Sequence, residues 1–109
     1  MMKLELVKRM AQDNAVCKIF KIADYTVEYA VYNVGTDREW KTIYINSDYS
    51  KEYLPGIHFT GKRYGETLNE FTIQTTSYGS LKPEEIKEVM KGYETALAVV
   101  EILKKELFK

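Results

Sequence analysis

The sequence predicts a two-layer α+β domain, in which an antiparallel meander of four to five strands carries two helices on one face. One helix is N-terminal and the other is long and C-terminal. Three observations lead there. The last quarter of the chain, from Ser80 onward, repeats apolar residues at helical period. Between residues 15 and 76 several β-prone segments follow one another, separated by turns too short for the crossovers of a parallel sheet. Helices at both ends would have to bury their apolar stripes, and one face of the sheet is the place for them.

Leu4, Val7 and Ala11, with Met10 beside them, give a helical face over residues 3–13, and Asp13-Asn14 supplies a stop. The β-prone run Leu4-Glu5-Leu6-Val7 leaves a first strand as the alternative. Ala15 to Ile22 reads as a strand with Val16, Phe20 and Ile22 on one face, and Ala23-Asp24 reverses the chain. Tyr25 to Asn33 alternates at period two, residues 34–38 turn, and Glu39 to Asn46 returns, which makes an antiparallel hairpin.

Residues 46–56 are a long polar connection. Ile57 to Thr60 is a brief strand, Gly61 to Gly65 a turn, and Phe71 to Thr76 the last strand before the helix. Pro83 suits the first helical position, where its missing N–H is not needed. Glu84 and Glu85 match the positive end of the helix dipole, and Lys104, Lys105 and Lys109 the negative end. Leu81 and Ile86 have the spacing of a hydrophobic staple.

The stripe runs through Ile86, Val89, Met90, Tyr93, Ala96, Leu97, Val100, Leu103 and Leu107. Such a helix is roughly 39 Å long at ~1.5 Å per residue, against ~17–20 Å for a typical strand. Part of it should therefore overhang the sheet. Val99, Ile102 and Phe108 fall off the stripe and are the candidate dimer interface, so the chain is expected as a monomer or a homodimer.

One domain spanning residues 1–109 is the sensible count, and 45% hydrophobic residues are enough for a core without a metal or disulfide staple. The 16 basic and 16 acidic residues cancel, so the chain lacks the positive field of a general nucleic-acid binder. A single cysteine, Cys17, fits a reducing, cytoplasmic setting. The charged start predicts no signal peptide, and no apolar run predicts a membrane span.

No cofactor or metal is expected. His58 and Cys17 are the only members of their kinds, too few for structural zinc, and neither sits in a nucleophile signature. Asn46, Asp48, Ser50 and Glu52 imitate the first half of a calcium loop. Lys51 then occupies its glycine position and Ile57 the place of its bidentate glutamate.

Nine tyrosines are the unusual count. Tyr25, Tyr29, Trp40 and Tyr44 fall at even offsets within their strands and could share an aromatic sheet face. Tyrosine and tryptophan bury large areas at low entropy cost, as binding surfaces require. Lys62, Arg63 and Tyr64, on the glycine-bracketed turn, are the second candidate contact. The leading expectation is a non-enzymatic protein-binding module acting through these residues. The alternative is a single-stranded nucleic-acid binder using the tyrosines and the basic turn. A small enzyme with Asp24, Glu28, Asp48 or His58 as acid–base groups is the third, and no spacing favours it.

Val27-Glu28-Tyr29, Glu52-Tyr53-Leu54-Pro55 and the run from Phe71 to Ser80 resemble small uncharacterised proteins of Gram-positive phages and mobile elements. The resemblance covers about two thirds of the chain and includes no catalytic signature. It implies an accessory role, such as binding and inhibiting a host protein, and transfers no functional residue.

Overall fold

The structure, a computed structural model, describes residues 2–48, 53–63 and 66–108, and only the backbone of Lys62, Arg63 and Thr67. Among the described residues six strands precede one helix: β1 (Glu5–Gln12), β2 (Ala15–Ile22), β3 (Tyr25–Tyr32), β4 (Trp40–Ser47), β5 (Ile57–Arg63), β6 (Glu66–Ile73) and α1 (Pro83–Leu107). The first four form an antiparallel meander in chain order, and β5 and β6 pair as a separate two-stranded sheet. The α+β class and the antiparallel meander are as expected.

The N-terminal helix is not. Residues 5–12 form strand β1, paired antiparallel with β2 from Glu5↔Lys21 to Gln12↔Ala15. Asp13-Asn14, read as a helix stop, is the two-residue loop of this hairpin, and Asp13 takes the left-handed backbone that such loops need (φ 48°). All eight residues of β1 are exposed, so no helical face is buried there. Pairing along β2 overrides the helix propensity of Lys, Arg and Met in this stretch.

The other elements moved by shorter steps. The last strand begins at Glu66 rather than Phe71, and β5 runs on through Gly61 to Arg63. Gly61 falls where the β5–β6 register shifts, and a Cβ there would come within 2.8 Å of the Lys41 carbonyl oxygen. Glycine is what lets β5 pass so close to β4, although the two strands share no ladder.

Among the described residues, a core of ten buried apolar side chains ties the two sheets to the helix. It comprises Ile22, Tyr25, Val27 and Ile43 from the meander, Ile57 and Phe59 from β5, and Ala96, Val99, Val100 and Leu103 from α1. Phe59, Phe71 and Phe108 close one end with ring centroids 5.0–6.0 Å apart. Lys41 Nζ lies 4.8 Å from the Phe108 ring, within cation–π range.

The buried arc of α1 is turned about the helix axis from the expected stripe. Val99, placed off the stripe, is fully buried, whereas Ile86, Met90 and Leu97, placed on it, are 46%, 58% and 59% exposed. All four buried residues lie in the C-terminal half, which faces both sheets at once. The overhang is therefore N-terminal. There, the Tyr53 hydroxyl donates to Glu85 Oε2 at 2.7 Å, and the Thr76 N–H donates to the Tyr93 hydroxyl at 3.2 Å. Gly92 lets the chain at Tyr53 lie directly on the helix, since a Cβ would collide with the Tyr53 carbonyl. Glu85 also accepts the Lys82 N–H at 3.1 Å, the reach-back half of a capping box. The Tyr53 hydrogen bond first, and the Lys82 bond second, hold its carboxyl below the ordinary value.

Candidate functional site: the outer sheet face

Residues directly opposite each other in a ladder point to the same face. The β3–β4 register joins Tyr25 to Ser47, Val27 to Ile45 and Tyr29 to Ile43, which puts odd-numbered positions together on the core side. It joins Glu28 to Tyr44 and Tyr32 to Trp40, which puts even-numbered positions on the outer side. The four expected aromatic contacts are thereby split between two faces.

Tyr25 is a core residue, 1% exposed, and its hydroxyl donates to the Pro55 carbonyl. Burial pushes its pKa up to about 12. Tyr29 is half-buried on the same side, lining a crevice of about 220 Å³ with Lys18, Phe20 and Leu107. Its pKa is raised by burial first and by the negative charge of Glu39 second. Neither is available as a flat outer contact.

Trp40 and Tyr44 are on the outer side, 41% and 62% exposed. Tyr32, not among the expected contacts, joins them: its ring stacks on Trp40 at a centroid distance of 4.6 Å with the planes 22° apart. The loop between these two residues is braced by its own hydrogen bonds. The Thr36 N–H and hydroxyl both donate to the Asn33 carbonyl, at 3.1 and 2.7 Å, and the Gly35 N–H donates to Glu39 Oε2 at 2.9 Å. Asn33 and Gly35 take left-handed backbone there (φ 54° and 80°). The stack is thus held at the end of a fixed hairpin.

Beside it, a cleft of about 260 Å³ opens between β4 and β5, lined by Trp40, Thr42 and Tyr44 on one side and His58, Thr60 and Gly61 on the other. The Thr42 hydroxyl oxygen is buried there without a hydrogen-bond partner among the described residues, a condition that costs roughly 1–3 kcal/mol.

The remaining expectations separate. Lys62 and Arg63 continue β5 instead of forming a turn, their side chains lie outside the described residues, and so does Tyr64. Ser50 and Glu52 of the calcium-like pattern also lie outside them. Val99, Ile102 and Phe108 are used within the chain: Val99 is in the core, and Ile102 and Phe108 pack against it. Cys17 on β2 and His58 on β5 are separated by β3 and β4, so they form no pair. Asp24 and Asp48 meet at one end of the meander, where the Asp48 N–H donates to the Asp24 carbonyl at 2.8 Å, while Glu28 and His58 lie on other strands. Among the described residues no group of three or more His, Cys, Asp and Glu could hold a metal, and no helix is long and apolar enough to cross a membrane.

The register was within reach of the sequence. A turn over residues 34–38 that closes symmetrically sets Asn33 opposite Glu39 and hence Tyr32 opposite Trp40. Counting offsets within each strand alone missed this.

No protein-family model matches the chain, and neither does any curated protein or solved structure.

Proposed function

We propose that the protein is a non-enzymatic binding module that takes another protein on the outer face of its meander. The observation that carries this reading is the exposed Tyr32–Trp40 stack with Tyr44 beside it, at the mouth of the β4–β5 cleft. Rigid aromatic rings give large contact area for little lost entropy. Lys8 and Lys21 share this face with Glu5 and Glu28 by register, so its charge is mixed, as suits a protein surface better than a phosphate backbone. An accessory protein of a phage or mobile element that blocks a host protein is the concrete form implied by the resemblance.

The stacked rings also favour a second reading, a platform for single-stranded nucleic acid. Two measurements separate them. Affinity capture with the wild-type chain and with a Trp40→Ser, Tyr44→Ser variant should recover a protein with the first and lose it with the second. Capture that survives both substitutions sinks the protein-binding reading. Titration with a single-stranded oligonucleotide at rising salt tests the alternative, which requires affinity to fall steeply.

A further inference from the structure

The apolar side chains that α1 leaves outside the core are regularly placed. Ile86, Met90, Tyr93 and Leu97 occupy the d, a, d and a positions of a heptad. Ile86, Met90 and Leu97 are exposed and Tyr93 is half-buried. On one flank of this seam, the g positions Val89, Ala96 and Leu103 turn toward the domain: Ala96 and Leu103 are fully buried and Val89 is partly so. On the other flank, the e positions Lys87, Glu94 and Glu101 are all exposed. The seam is therefore open from one side only.

We propose that a second copy of the chain docks here, its α1 antiparallel to the first about a two-fold axis. Antiparallel packing sets each a position against a d position. Met90 then meets Tyr93 of the second copy and Ile86 meets its Leu97, and the axis repeats both contacts, giving four apolar layers. A parallel pair would set e against g, and the g flank is committed to the core. An antiparallel pair sets e against e on the free flank and g against g on the other, where each copy keeps its own core contacts and the two domains lie side by side.

Charge fits the same arrangement. With those layers in register, the nearest e-to-e neighbours are Lys87 and Glu94 of opposite copies, two residues out of level. Opposite charges thus meet twice around the axis. Val99, Ile102 and Phe108, the original candidates, cannot serve, because Val99 is in the core and Ile102 and Phe108 pack against it.

The test is sedimentation equilibrium of the full chain over a broad dilution series, with circular dichroism as the check on fold. The wild type should approach twice its 12.7 kDa at the concentrated end and dissociate on dilution. Met90→Glu with Leu97→Glu should be monomeric throughout with unchanged dichroism, since both side chains are more than half exposed. Lys87→Glu alone and Glu94→Lys alone should each weaken the dimer by roughly tenfold, and the two together should restore wild-type affinity. That rescue separates a defined two-fold seam from general stickiness. A wild type monomeric at every concentration overturns the proposal, as does a dimer that survives Met90→Glu with Leu97→Glu, or a charge swap that fails to rescue.

Discussion

The two faces of the meander use the same residue type for opposite ends. On the inner face Tyr25 is 1% exposed, its ring packed among Ile22, Val27 and the helix residues and its hydroxyl spent on the Pro55 carbonyl. On the outer face Tyr44 is 62% exposed and Tyr32 stacks on Trp40 at the surface. Composition cannot distinguish these tyrosines. Their position relative to the β3–β4 turn does, because register decides the face.

The hardest way to break the contrast is to empty the inner face. Tyr25→Ala removes a buried ring and should cost about 3–5 kcal/mol, read as a lowered midpoint in chemical denaturation. A loss under ~1 kcal/mol would show that the ring is not packed as described.

A second break acts on the layer covering that face. In a helix interior, glycine to alanine ordinarily stabilises by up to ~1 kcal/mol. At Gly92 the sign should reverse, because the new methyl would strike the Tyr53 carbonyl. Gly92→Ala should destabilise by about 1–3 kcal/mol and free the chain around Tyr53 to exchange its amide hydrogens faster. Unchanged or improved stability would mean that this segment does not rest on the helix.

The inner tyrosine also carries a pH signature. Its phenol, at about 12 in the folded chain against an ordinary 10.0, holds its proton where the unfolded chain has lost it. Its contribution to stability is therefore complete below pH 10 and is lost as pH rises toward 12. Tyr25→Phe should flatten this alkaline limb while lowering stability at neutral pH, since the Pro55 carbonyl loses its donor. An alkaline limb equally steep in wild type and variant would assign it to other groups.

Much of the layout was legible in the sequence, for reasons that differ by element. Pro83, Glu84 and Glu85 located the helix start, because caps act locally. The tight reversals at Ala23-Asp24 and after Asn33 located three strands, because a short turn admits only antiparallel pairing. β1 failed since Leu-Glu-Leu-Val-Lys-Arg-Met satisfies either period, and a neighbouring strand, not propensity, decided it. The rotation of α1 failed for a related reason. Val99 and Leu97 are equally apolar, and only the presence of two sheets beneath the C-terminal half selects Val99 for burial. In the candidate site, Trp40 and Tyr44 came from composition and alternation, whereas the place of Tyr32 depends on the β3–β4 pairing and the Thr42 cleft on the packing of β5 beside β4.

The smallest expected effect on stability is the most informative about the outer face. Tyr44→Ser removes a ring that is mostly in solvent, so denaturation midpoints should move by no more than ~0.5 kcal/mol. Trp40→Ser also gives up the stack on Tyr32, which adds about 0.5–1.5 kcal/mol. A surface kept for folding would lose stability in step with the aromatic area removed. A surface kept for a partner would lose binding instead and leave the fold nearly untouched. If Tyr44→Ser cost several kcal/mol, the outer aromatics would be structural after all. The contrast between the two faces would then collapse into a single core with two sides.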